Sequence, residues 1–247
     1  MKPFLFAACV LATTLSAHDF KVKLENCSEF IGVASIPLAK LQPLVPSGYQ
    51  IAIGPPGFGS LVVRSSHCRS GAIEGSFGGA DVTRVAQLGV VVIPPEGDGD
   101  INNYTLSYGT NNLKLALRLE LAGLPVLYDS NLAYELTPDP PVLPNGGELF
   151  AEFAPELSPA SWFLSGTVTD PPPGASFPFV ANWWYNGRQG RIKMATSIPV
   201  LSYGGGNVKV YTRRQSLLGG LIGGNTSTFG TNLRGVFANG TLRVTTP

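Results

Sequence analysis

The chain has 247 residues, 44% of them hydrophobic and only 13% charged, with a formal charge of +1. A chain this apolar and this nearly neutral can bury a sizeable core, which excludes extended disorder, and it lacks the basic stripe that a nucleic-acid surface requires. Its 30 glycines and 21 prolines suit many strands joined by turns.

Residues 1–17 read as a secretory signal peptide. Lys2 supplies the positive end, residues 4–15 the apolar run, and Ser16 and Ala17 the small residues near the cut. That run is shorter than the ~20 residues that span a bilayer, and no later segment is long and apolar enough to do so. The expectation is therefore a secreted or secretory-lumen protein in which residues 18–247 form a single domain. Cys9 leaves with the signal. Cys27 and Cys68 remain as an even pair in an oxidising compartment and predict a disulfide. In the chain-entropy model, closing so long a loop contributes ~4 kcal/mol. His18 and His67 are the only histidines, too few for a metal site, and neither metal nor cofactor is expected. Sequons at Asn26, Asn103, Asn225 and Asn239 are candidate glycosylation sites, Asn103 close to the expected pocket.

Past the signal, strands are expected at 22–24 and 30–36. A short helix follows at 37–45, where Leu38, Leu41 and Leu44 or Val45 recur at helical spacing. Further strands lie at 50–53 and 59–65. The glycine-rich loop 71–79 lacks a following Gly-Lys-Ser/Thr and so is no phosphate cradle. Residues 82–93 form the strongest strand, ending in β-branched residues. The acidic turn 94–100 lacks the distal glutamate of a calcium loop. Alternation in 103–108 puts Tyr104, Leu106 and Tyr108 on one face and Asn103, Thr105 and Ser107 on the other.

Residues 111–136 read as an amphipathic helix, a Gly123-Leu124-Pro125 turn and a departing strand. Leu113, Leu115, Leu117, Leu119 and Leu121 alternate as in a strand, but Lys114, Ala116, Arg118 and Glu120 between them are good helix formers. Asn111 or Asn112 can cap the start, Gly123 suits a left-handed end, and Pro125 prevents continuation, so the ends decide for a helix. Strands follow at 149–153, 162–168 and 208–211. Residues 180–194 form a hairpin about Asn186-Gly187, and 233–238 and 242–244 form a final pair. The sum is a mainly β, antiparallel barrel or set of curved sheets with two or three short helices.

A Leu/Ala-rich helix, then Gly-aromatic/aliphatic-Pro, then a strand resembles the acetoacetate decarboxylase family, as does the earlier strand, short helix and Leu44-Val45-Pro46 unit. The resemblance implies a β-barrel with an internal pocket. It also implies a Schiff-base lysine after the Gly-x-Pro turn, where this chain has Val126 and Leu127. The family's arginine position corresponds to Ala34 or Ser35, and its glutamate position to Gln87. All three charged positions are thus replaced, which argues against imine chemistry at the family's site.

The candidate catalytic groups are Glu135, Tyr108, Gln87, Asn131 and Lys193. Glu135, or its neighbour Asp129, would act as acid or base if desolvated. Lys193 is either a surface strand lysine or a relocated amine. Candidate substrate-binding residues are Tyr104, Val126, Leu127, Tyr134, Asn182, Trp183, Trp184, Tyr185, Arg188 and Met194. In the 182–185 cluster one alternating pair can line a cavity while the other packs elsewhere. The expected function is a cofactor-independent, non-covalent enzyme acting on an apolar polyketide- or terpenoid-like molecule by cyclisation, isomerisation or decarboxylation. The alternatives are a non-catalytic carrier of an apolar ligand, or a Schiff-base decarboxylase using Lys193.

Overall fold

A computed structural model describes residues 19–138, 146–155, 160–188 and 190–246, so the expected signal segment lies outside the described residues. The elements in order are β1 (Phe20–Pro37), α1 (Leu38–Leu41) with a 3-10 turn at Gln42–Leu44, β2 (Phe58–Ile73), β3 (Asp81–Val91), β4 (Ile101–Thr110) and α2 (Leu113–Leu121). They continue with β5 (Leu127–Tyr128), β6 (Ala133–Pro138), β7 (Gly146–Phe153), β8 (Trp162–Thr169), β9 (Ser176–Gly187), β10 (Gly190–Gly204) and β11 (Gly206–Thr212). The last three are α3 (Leu217–Ile222), β12 (Thr226–Thr228) and β13 (Thr231–Thr245).

Seven strands close a barrel in the order β3-β2-β1-β13-β10-β9-β4, with β3 pairing back onto β4. All its pairs are antiparallel except β4 with β9. The short β5 adds to β4 in parallel. A second sheet, β12-β11-β8-β7-β6, covers one side of the barrel. Barrel strands under it are buried on both faces. On β2, Val62 faces the barrel interior while Leu61 and Val63 join Leu149, Phe153 and Leu164 of the second sheet in the layer between them. At Gly109 on β4 a Cβ would collide with the ring of Phe153, so glycine lets the two layers meet.

Helix α2 closes one end of the barrel. The Asn112 side chain accepts from the Leu115 N–H at 3.1 Å, and Gly123 ends the helix region at φ 93°. At 100° per residue the alternating leucines separate onto two sides. Leu115 and Leu119 are buried with Ala116, whereas Leu113, Leu117 and Leu121 are exposed.

Several boundaries differ from expectation. Residues 22–24 and 30–36 belong to one strand, β1, and the final pair is one strand, β13, because each is held continuously by long neighbours. The expected strand at 50–53 makes only isolated bridges, Ile51 with Val92 and Ile53 with Gly59. The hairpin turn lies beyond Asn186-Gly187, since Gly187 pairs with Gly190 and Asn186 with Arg191. Cys27 and Cys68 sit directly opposite each other on β1 and β2, Cα–Cα 4.1 Å, and form the expected disulfide.

Candidate functional site

Irregularities on four strands decide which side chains enter the barrel, one of them a register shift between Cys68 and Gly71 where β2 pairs with β3. On β1, Phe20, Val22 and Leu24 face inward, then Asn26 adopts a left-handed conformation with φ 50°, and Cys27, Glu29, Ile31 and Val33 face inward after it. On β4, the register shifts where Leu88 pairs with Ser107 but Gly89 pairs with Thr105, so Leu106 is an extra residue. On β10, a similar shift between Ile198 and Leu201 turns Leu201 and Tyr203 inward after Met194, Thr196 and Ile198.

These inward residues enclose a chamber of about 230 Å³ toward the end opposite α2. Its walls are mostly apolar, from Ile31, Val62, Phe179, Trp183, Ile198 and Leu233. Among the described residues, six polar side chains interrupt them: Glu29, Arg64, Asp100, Asn103, Thr196 and Tyr203. Arg64 donates from Nε to Glu29 Oε2 at 2.7 Å, and its NH2 lies 2.7 Å from the same oxygen. Its NH1 donates to Gln87 Oε1 at 2.5 Å. Both Glu29 contacts land on Oε2, which leaves Oε1 for another partner. Glycine at 235 makes room for this carboxylate, because a Cβ there would lie 2.7 Å from Glu29 Cγ and Oε1. The Oδ1 of Asn103 is buried without a hydrogen-bond partner, an arrangement that costs about 1–3 kcal/mol unless something satisfies it. The Tyr203 phenol also lines the chamber, its pKa raised by burial and then by the Glu29 carboxylate. On the α2 side, Arg64, Gln87, Ser66 and Tyr108 border a second space of about 20 Å³. Burial raises the Tyr108 phenol strongly, so it stays protonated and keeps its O–H to donate.

The expected site residues are scattered by this geometry. Gln87, Tyr108, Trp183 and Met194 face the barrel interior. Tyr104 does not share a face with Tyr108, because the extra residue at Leu106 turns it outward into the layer between the sheets, 4.9 Å from the Tyr49 ring. Tyr134 lies in that layer too, bonded to the Ser28 hydroxyl at 2.9 Å. Asn182 and Trp184 are buried outside the barrel, where Asn102 Oδ1 accepts from both, at 3.1 and 2.8 Å. Tyr185 is half-buried beside Tyr104. Val126 is core beneath α2, and Leu127 packs in the interlayer; neither lines the chamber.

Glu135 and Asn131 are exposed and face away from the barrel, Glu135 on the outer face of β6 and Asn131 in a turn whose N–H donates to Asp129 Oδ1 at 2.9 Å. Asp129 uses its other oxygen to accept from the Ala154 N–H at 3.1 Å, so it serves the turn. Arg188 is exposed at the hairpin end. Lys193 points outward from β10, as its parity with Ile192 and Met194 requires, and meets Glu96 and Asp98 at 2.8 and 2.7 Å. Partial burial lowers its pKa, but hydrogen bonds to Asp98 and Glu96 outweigh that and hold it above the ordinary lysine value. An amine so held is protonated and non-nucleophilic. Among the described residues no lysine lines either space, and no helix is long and apolar enough to cross a membrane.

Glu29 and Arg64 escaped the sequence reading. Glu29 lies past the switch at Asn26, and Arg64 follows an apolar run, Leu61-Val62-Val63, that is buried on both faces and so gives no alternation to count. Ala34 packs in the interlayer and Ser35 is exposed, so the barrel's arginine comes from β2 rather than β1.

No protein-family model matches the chain, and no curated protein does. Solved structures do. An acetoacetate decarboxylase-like enzyme from Sphingomonas wittichii RW1 is similar with a TM-score of 0.56 at 14% identity, over 94% of this chain and 92% of that one. Acetoacetate decarboxylase from Legionella pneumophila gives 0.55 at 11% identity, over 91% and 84%. The enduracididine biosynthesis enzyme MppR gives 0.55 at 11% identity, over 93% and 86%. At such identities the likeness concerns the backbone, and the chain has the fold of the acetoacetate decarboxylase-like enzymes.

Proposed function

We propose that the protein is a barrel enzyme that binds a small, largely apolar carbonyl compound in the 230 Å³ chamber and moves a proton on it without a covalent link to the chain. The observation that carries this reading is the Glu29–Arg64 pair, extended to Gln87 beside the smaller space, in the wall of a mostly apolar chamber. Scaling from a 150 Å³ cavity that holds benzene, the chamber takes roughly nine or ten non-hydrogen atoms. That matches a short polyketide fragment or a terpenoid-like ketone of up to about nine carbons. The neighbour MppR, described with the condensation product of pyruvate and imidazole 4-carboxaldehyde, supports small-molecule chemistry inside this fold.

In the proposed step, Glu29 Oε1 takes a proton from the carbon next to the substrate carbonyl. The C–H electron pair becomes the enolate double bond, and the carbonyl π pair moves to oxygen. Donors around the chamber, the Tyr203 phenol and the Asn103 amide, stabilise that oxygen where water is scarce. With a β,γ-unsaturated carbonyl, return of the proton from Glu29 to the γ-carbon of the dienolate gives isomerisation; with a second carbonyl, attack by the α-carbon breaks that carbonyl's π bond and the new alkoxide takes the proton back from Glu29, giving cyclisation. Arg64 fixes the carboxylate through Oε2 and keeps Oε1 aimed.

The test is deuterium incorporation from heavy water into α-positions of apolar ketones and β-keto acids, read by mass spectrometry. The wild-type protein is expected to catalyse exchange. Glu29→Gln is expected to slow it by on the order of a hundredfold or more while ligand binding persists. A borohydride-trapped adduct on any lysine would overturn the non-covalent reading. A carrier is the second reading, favoured because the Glu29 carboxylate is already paired; it predicts tight binding with no exchange in either protein.

A further inference from the structure

The wall between the two interior spaces bears on the same cavity. Inward residues step along each strand from the larger space to the smaller one: Val62, Arg64 and Ser66 on β2, Ala181 and Trp183 on β9, and Ile198, Thr196 and Met194 on β10. Among the described residues, Arg64, Trp183 and Thr196 are the three that border both spaces, so together they form the partition. Arg64 is clamped from two sides by Glu29 and Gln87. Trp183 is 2% exposed, and its indole lies against the backbone of β3, where a Cβ at Gly89 would fall 2.6 Å from Cζ3. The glycine therefore seats the largest part of the wall. Beyond the indole, Leu24, Leu115, Met194 and Leu242 offer an apolar continuation of the barrel that is about 20 Å³ while Trp183 is present.

We propose that Trp183 is the specificity-determining residue that sets the upper length of the ligand, by cutting the barrel interior into a usable chamber and a residual one. The inference rests on the chamber being the ligand site. An indole is flat and rigid, and Trp183 is held by Gly89 on one side and by barrel neighbours on the other, so it cannot swing aside without disturbing β3. A ligand that enters from the end opposite α2 therefore stops at the indole. Replacing Trp183 by alanine joins the two spaces into one tunnel that reaches Leu115 of α2, with Leu24, Met194 and Leu242 as its apolar side.

The test is calorimetric binding of a series of straight-chain methyl ketones, from about six to about fourteen carbons, to wild-type protein, Trp183→Ala and Trp183→Phe. Each added methylene should tighten wild-type binding about fourfold until the ligand reaches roughly ten non-hydrogen atoms, after which affinity stops rising or falls. In Trp183→Ala that break is expected to move by about three carbons or more. Trp183→Phe keeps part of the wall, protects against collapse of the tunnel, and is expected to shift the break by less in the same direction. The same break in wild-type protein and in both folded variants would overturn this inference and leave the chamber as the ligand site. Failure of wild-type protein to bind any member would instead overturn the reading of the chamber, and this inference with it.

Discussion

Arg64 and Glu29 illustrate how a buried charge is tolerated. Neither could be desolvated alone at reasonable cost, but paired at 2.7 Å and extended to Gln87 they compensate each other's charge inside the barrel. The arrangement is a weak source of net stability but a sensitive one. Arg64→Met leaves the Glu29 carboxylate uncompensated and is expected to lower unfolding stability by about 3–5 kcal/mol. Adding Glu29→Leu to that variant should recover much of the loss, because two apolar groups replace the pair. Urea unfolding of the two single variants and the double variant measures this directly. A double variant no more stable than Arg64→Met would mean that the pair does more than compensate charge.

At the scale of the element, single residues set which face of a whole strand segment is inside. Side chains alternate with period two, so one irregular residue moves everything beyond it to the opposite face. Asn26 does this on β1, and without its left-handed turn Glu29 would not share a face with Val22 and Leu24. Left-handed backbone costs about 1–2 kcal/mol for ordinary residues, less for asparagine, and almost nothing for glycine. Asn26→Gly should therefore be close to neutral, whereas Asn26→Val should cost about 1–2 kcal/mol or more in thermal or denaturant unfolding. Equal stabilities for the two would show that the conformation at residue 26 is not what sets the switch. Leu106 on β4 has the corresponding effect and separates Tyr104 from Tyr108. The alternation of 103–108 was visible, but a bulge is fixed by pairing with β3 and leaves no local mark in NYTLSY.

For the whole molecule, the two layers share one chemical vulnerability. Tyr49 and Tyr134 in the interlayer are each pushed up to about 12, first by burial, with the Arg191 guanidinium and the Ser28 hydroxyl respectively pulling the other way. Tyr108 and Tyr203 inside the barrel are raised as well, again first by burial. A phenol with a raised pKa holds its proton more tightly when folded than when unfolded, where it titrates near about 10. The stability it represents is therefore complete below pH ~10 and is lost as pH rises from ~10 through the folded value near ~12. Unfolding free energies measured across that window should fall steeply. Ultraviolet titration should show these phenols ionising together with loss of the fold. Smooth, independent ionisation of all tyrosines near the ordinary value would contradict their burial. The Cys27–Cys68 bond holds β1 to β2 below that threshold and is compatible with an extracellular setting. Exposed side chains at Asn26, Asn225 and Asn239 leave those sequons accessible, whereas Asn103 is buried in the chamber wall.

What the sequence by itself determined is everything carried by local pattern. A cap at Asn111 or Asn112, which the structure resolves as Asn112, and Gly123 identified α2 against the alternation of its leucines. Runs of β-branched and aromatic residues broken by glycine and proline identified a strand-rich fold, and two remaining cysteines identified the disulfide. The Gly123-Leu124-Pro125 turn after a Leu-rich helix pointed to the right barrel. What only the tertiary structure decided is the inward face of each strand, and with it the site. Strands such as β2 are buried on both sides, so hydrophobicity cannot label their faces. The switches at Leu106 and between Ile198 and Leu201 arise from pairing with neighbours distant in sequence, and the one at Asn26 from a left-handed backbone that an asparagine does not announce. That is why Glu29 and Arg64 meet in the barrel, while Glu135 and Lys193, equally charged and equally placed on strands, face outward.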